Sequence, residues 1–144
     1  MRASEGARLI VGDGAEVLTI EEFTEVHFGL FEGLTAEEIR ERYPIEFARW
    51  NADRLAPAYT YPQGESRASF AERVARGLER MLTLIEASRR TGHERALVVA
   101  HRGVIRAMVR ALTGDEPVVE LGSIQIIARR ARWHAHLLDF TAHL

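Results

Sequence analysis

Apolar residues recur at three- and four-residue spacing in the middle of the chain. Phe70, Val74, Leu78, Met81, Leu82 and Ile85 form one stripe, which predicts an amphipathic helix running from Ser66, its cap, to about Arg90. Gly92 marks its stop. A second stripe, Val104, Ile105, Met108, Val109 and Leu112, predicts a helix that ends at Gly114. Thr35-Ala36-Glu37-Glu38 reads as a capping box, in which Thr35 accepts from a first-turn N–H and Glu38 reaches back. The helix it opens should stop near Tyr43, because Pro44 follows. Residues 44–51 predict another short helix presenting Ile45, Phe47 and Trp50. Residues 1–11 read as helix, closed by the Gly12-Asp13-Gly14 turn.

Four segments carry strand patterns. Ala96-Leu97-Val98-Val99-Ala100 is a continuous apolar run of strand length, which requires cover on both faces. Residues 17–20 are a shorter candidate. Ile124-Gln125-Ile126-Ile127 and residues 133–140 are joined by the short Arg129-Arg130-Ala131-Arg132 link, which predicts an antiparallel hairpin. Residues 52–65 hold Pro57, Pro62 and Gly64 and read as a loop. Helices that alternate with strands indicate an α/β fold with a covered sheet, in one domain over residues 1–144.

Composition narrows the function classes. A chain of 144 residues, 47% apolar and 28% charged, is globular and long enough to bury a core. The net charge of −2 argues against a globally basic nucleic-acid binder and gives no attraction to membranes. No apolar run approaches bilayer-spanning length, and Met1-Arg2-Ala3-Ser4-Glu5-Gly6 carries no apolar signal region, so the default expectation is cytoplasmic. With no Cys, disulfides, thiol catalysis and Cys-based zinc sites are excluded.

Three constellations could carry chemistry. Val98-Val99-Ala100-His101-Arg102-Gly103 places a His where a buried strand meets a helix N-terminus, a common ligand position in open α/β sheets. Helix N-termini offer unpaired N–H groups that suit phosphate. The plain alternative is a His that closes a strand end. In Phe23-Thr24-Glu25-Val26-His27-Phe28-Gly29-Leu30-Phe31-Glu32-Gly33, a carboxylate among aromatics suits a general acid, although most such carboxylates are simply solvated. Pro62-Gln63-Gly64-Glu65-Ser66 is explained mostly as a loop with a helix cap, which leaves Glu65 over.

Taken in order, these segments resemble the histidine phosphatase superfamily, the phosphoglycerate mutase-like fold. Residues 23–33 match its L-x-E-x-D/H-F-G-x-x-E-G segment, with Phe23 for the usual Leu. Residues 62–66 match P-x-G-E-S, and residues 98–107 match V-V-S-H-G-G-V-I-R-A, with Ala100 for Ser and Arg102 for the first Gly. Ser123-Ile124 and Trp133 resemble a late S-I-x-x-L…W-x-L pattern. Arg2-Ala3-Ser4-Glu5-Gly6-Ala7 fits the family's S-x-L-x-R-A-x-Q/E-T-A helix, with Gly6 for Thr.

The resemblance implies a three-layer sandwich with a mostly parallel central sheet. It implies that Glu25 is the proton donor to the leaving group and His101 the second His, which binds the phosphoryl group. Arg2 would be the second phosphate Arg, and the backbone N–H of Arg102, with Gly103 beside it, would contact phosphate. The chemistry implied is two in-line displacements through a phosphohistidine, stabilised by Arg and His with no metal and no cofactor. The family's R-H-G segment, whose His becomes phosphorylated, has no counterpart here, so the expected chain is N-terminally truncated. The 96–100 strand would then keep one open edge, through which pairing of chains would give an oligomer.

The expected partner is a phosphorylated small molecule, with neither nucleic acid nor membrane. The expected activity is phosphomonoester hydrolysis. The alternatives are an inactive remnant that binds phosphorylated ligands, or a phosphoglycerate mutase proper. The short span between Gly33 and Gly64 favours the compact phosphatase-like branch. The 52–61 loop, with Tyr59 and Tyr61, is expected to shape the pocket mouth. His27 reads as structural, His134 and His136 as one solvated strand face, and His93 and His143 as carrying no signal. Arg129, Arg130 and Arg132 read as a solvated turn.

Overall fold

The computed structural model describes residues 2–14, 16–90, 92 and 95–144. Met1 and His93 therefore lie outside the described residues. The described helices are α1 (Arg2–Val11), α2 (Ala36–Arg42), α3 (Pro44–Asp53), α4 (Arg67–Arg89) and α5 (Arg102–Thr113). The strands β1 (Ile124–Arg129) and β2 (Trp133–Phe140) form an antiparallel pair. The chain divides into two compact units. One holds the stretch up to Glu25 together with Val74–Leu144; the other is Val26–Arg73.

Local signals dictate most helix ends. The capping box of α2 is formed: Thr35 Oγ1 accepts from Glu38 N–H at 3.3 Å, and Glu38 Oε2 accepts from Thr35 N–H at 2.8 Å. The Thr35 N–H and the Thr35 hydroxyl, which donates to Glu38 Oε2 at 3.0 Å, hold the Glu38 carboxyl below the ordinary range. Ser66 Oγ accepts from Ser69 N–H at 3.0 Å and opens α4. Gly114 ends α5 in the left-handed region at φ 82°, and its N–H donates to the Arg110 carbonyl.

In the first unit, the core is made by Val74, Leu78 and Met81 of α4, Val104, Met108 and Val109 of α5, and Val119. Full burial of each such side chain contributes about 1.5–3 kcal/mol. Gly77 is buried in the same helix, because a Cβ there would lie 2.7 Å from the Phe23 ring and 2.8 Å from Glu22 Cβ. The hairpin packs on α5 through β2 and carries two register irregularities. At one of them Asp139 sits at φ 52°, and its N–H donates to Gln125 Oε1 at 2.7 Å. The Gln side chain thus supplies an acceptor where the ladder is broken.

In the second unit, buried Phe31 is ringed by Tyr43, Trp50 and Tyr61. Gly29, at φ 59°, lies so close to Pro62 that any Cβ would overlap the Pro62 carbonyl oxygen. That approach lets Leu30 N–H donate to the same oxygen at 2.9 Å. Tyr59 is 8% exposed and Tyr61 meets Phe28 and Tyr59 edge to face. Tyr59 is therefore part of this unit's core, and half-buried Tyr61 packs beside it.

The mostly parallel central sheet is not formed among the described residues; the only ladder among them is the β1–β2 hairpin. Residues 17–20 and 96–100 are in no strand. Within 96–100, Leu97 is 66% exposed, and no backbone hydrogen bond pairs the run with another described segment. The physical reason is that a strand needs a neighbour to take its N–H and C=O groups, and apolarity alone supplies none.

Candidate functional site

Three sequence-predicted residues come together at the start of α5. His101 is the residue before the helix, with extended backbone (φ −78°, ψ 158°), and its carbonyl accepts from Ile105 N–H at 3.0 Å. Its side chain caps none of the first-turn amides. Those amides have no intrahelical acceptor and take an outside one. Gly103 N–H donates to Glu25 Oε2 at 3.1 Å, across 78 positions of sequence. Val104, fully buried, fixes the same turn from below.

The chain delivers Glu25 by a single 3-10 turn, Glu21–Phe23. Phe23 N–H donates to the Ile20 carbonyl at 3.0 Å, and both the N–H and the hydroxyl of Thr24 donate to the Glu21 carbonyl. The Phe23 ring lies against Gly77. The larger ring at this position thus fits because the facing residue of α4 has no side chain. Gly103 has a parallel role: any Cβ there would collide with Glu25 Oε1. The carboxylate is seated directly over the helix end, where the positive end of the helix dipole favours an anion.

Arg102 opens α5 with its side chain exposed. Arg2 opens α1 and is exposed. A Cβ on Gly6 of α1 would be 3.7 Å from Val99 Cγ1, so this helix lies against the run that leads into His101.

Glu65, left over by the sequence, has a partner in Arg73. Arg73 Nε donates to Oε1 at 3.0 Å and Nη2 to Oε2 at 2.7 Å, a bidentate fork with both side chains mostly buried. Glu65 N–H donates to the His27 carbonyl at 2.8 Å, and His27 N–H reaches Oε2 at 3.4 Å. The Arg73 hydrogen bonds hold the Glu65 carboxyl below the ordinary range, against the opposing effect of burial. The signal available in the sequence was the eight-residue spacing, which brings an Arg two turns into α4 back over the residue before its cap.

Other candidates stay apart. Arg129 lies 5.7 Å over the Trp133 ring, and His143 stacks on Phe140. Among the described residues no group of three His, Asp or Glu is placed to hold a metal ion, and no helix is long and apolar enough to cross a membrane. An open hollow of about 620 Å³ between the end of α4 and Arg129 includes neither Glu25 nor His101.

A helix N-terminus presents N–H donors and a positive dipole end to anions. The family model of the histidine phosphatase superfamily (branch 1) matches residues 1–134, and the chain belongs to that superfamily. It is 33% identical over 99 residues to phosphoserine phosphatase 1 of Hydrogenobacter thermophilus, covering 69% of this chain and 43% of that protein. It is 36% identical over 85 residues to a 6-phosphofructo-2-kinase/fructose-2,6-bisphosphatase of Gallus gallus, covering 59% of this chain and 16% of that one. The chain thus spans less than half the length of these curated relatives. Its fold is similar to the crystal structure of the alpha-ribazole phosphatase from Shigella flexneri, with a TM-score of 0.77 and 24% identity, over 96% of this chain and 69% of that one.

Proposed function

We propose that this chain carries the proton-donor and phosphoryl-binding half of a phosphomonoester hydrolase that works through a phosphohistidine. The observation that carries the reading is the Glu25 carboxylate held at the α5 N-terminus next to His101. In this reading His101 binds the phosphoryl oxygens, the amides of Arg102 and Gly103 add backbone donors, and Arg2 supplies a second cation. In its protonated form Glu25 gives its proton to the leaving oxygen, and the carboxylate so formed then takes a proton from the attacking water. The charge that develops on the phosphoryl oxygens is met by Arg, His and helix amides. The substrate is a phosphorylated small molecule, and the full fold is a three-layer α/β sandwich; the relatives' names and the fold similarity support both.

The nucleophilic His belongs, in this proposal, to an R-H-G segment that is not among the motifs of this sequence. The unpaired run at 96–100 favours one second reading, a non-catalytic chain that binds phosphorylated ligands. One experiment separates them. The DNA in frame before Met1 is read, and the protein with any segment found there is assayed on p-nitrophenyl phosphate. The hydrolase reading expects an R-H-G segment, activity abolished by His101→Ala, and activity retained in His134→Ala. Turnover that survives loss of both Glu25 and His101 defeats the site assignment. A stop codon with no such segment supports the binding remnant.

A further inference from the structure

We propose that the Glu25 carboxylate is the resident anion of the α5 N-terminus, so that a phosphoryl group reaches the Gly103 amide only by displacing it. The inference rests on the assignment of His101 and α5 as the phosphoryl site and adds a gate to that site. The Gly103 N–H, one of the two backbone donors the proposed site offers an incoming anion, is already given to Glu25 Oε2 at 3.1 Å. The fit is close, because Gly103 leaves no room for a Cβ beneath Oε1. The His101 side chain takes none of the first-turn amides. The internal carboxylate is thus the group that answers the helix end in the free protein. A second anion at the same short turn meets the charge of the first, and one N–H cannot serve both at full strength.

Displacement has a chemical consequence. The carboxylate that leaves the Gly103 amide takes up a proton from solvent and moves out beside the incoming phosphate ester, where a proton donor to the leaving oxygen has to stand. Admission of the substrate and release of the donor are then one event.

The test uses inorganic phosphate as the probe on the intact chain, with binding followed by calorimetry and by the backbone amide resonance of Gly103. The wild-type chain is expected to bind weakly, with the Gly103 amide shifting as its acceptor changes. Glu25→Gln keeps the shape and removes the charge, and it is expected to bind phosphate at least tenfold more tightly. His101→Ala in that background is expected to abolish the gain. If Glu25→Gln binds no more tightly while His101→Ala still abolishes binding, the site stands and the gate is overturned. If His101→Ala has no effect on phosphate binding in either background, the site reading itself fails and the gate with it. A Gly103 amide that does not move when wild-type chain is saturated overturns the gate without recourse to any variant.

Discussion

The Glu25 carboxylate accepts a hydrogen bond from the Gly103 backbone N–H, joining residues 78 positions apart. This bond does for α5 what a Ser or Asp cap does locally, with the acceptor drawn from a distant loop. Gly103→Ala should force the carboxylate off the helix end, since the new Cβ would overlap Oε1. The expected cost is about 1–3 kcal/mol in urea denaturation. Glu25→Ala should cost about 1 kcal/mol alone, the usual loss for a cap. The double variant should cost clearly less than the sum, because the clash has lost its partner. Additive values would show that the two residues do not meet.

Gly77→Ala reverses an ordinary rule. Alanine normally stabilises a helix interior by about 1 kcal/mol over glycine. Here the new methyl would sit 2.7 Å from the Phe23 ring, so a net destabilisation of about 1–2 kcal/mol is expected. Phe23→Leu in the same background should recover most of it. Thermal melts of the three variants check both statements.

The Glu65–Arg73 fork makes stability depend on acid in a defined window. Glu65 is held below the ordinary carboxylate range by Arg73, so its contribution is complete above the unfolded value of roughly 4.3. It is lost as pH falls through the lower folded value. Glu65→Gln should destabilise at pH 7 by about 1–3 kcal/mol and show a smaller further loss between about pH 5 and pH 3. Denaturant titrations across that range measure it; parallel curves for the two proteins would contradict the ion pair.

Tyr59 is buried with its hydroxyl unpaired among the described residues. An unsatisfied buried hydroxyl costs about 1–3 kcal/mol, so Tyr59→Phe should be neutral or stabilising, whereas Tyr59→Ala should cost about 3–5 kcal/mol. Burial also pushes the phenol above its ordinary range, with Tyr61 and Asp53 acting the same way and Arg49 against them. Ultraviolet titration should find one tyrosine ionising later than the rest.

Features set by neighbours in sequence were legible from the sequence. Thr35 and Glu38 name the α2 cap, Pro44 and Gly114 mark helix ends, and the α4 stripe names Val74, Leu78 and Met81 as core. The hairpin followed from two apolar runs and a short link. The failures all involve long-range partners. Residues 96–100 are as apolar as any strand, yet pattern cannot supply the second edge of a ladder. Tyr59 and Tyr61 lie in a loop by composition, but Tyr61 packs on Phe28 and Phe31, and Tyr59 packs on Tyr61 and is buried. Glu25 and His101 were each chosen from motifs, but the Gly103 bond was not visible, because backbone donors have no letter in the sequence.

The route into His101 is asymmetric. Behind it, residues 96–100 carry no ladder bonds among the described residues; ahead of it, Ile105 N–H holds its carbonyl at 3.0 Å and Val104 is fully buried. The backbone at His101 is therefore held by a hydrogen bond on its helix side. Segments with few buried contacts and open amides exchange and unravel at lower free energy than the helices they join. On warming, the placement of His101 should be lost in a local transition that precedes melting of α4 and α5. A probe at residue 101 and far-ultraviolet circular dichroism would then report two different midpoints for one chain.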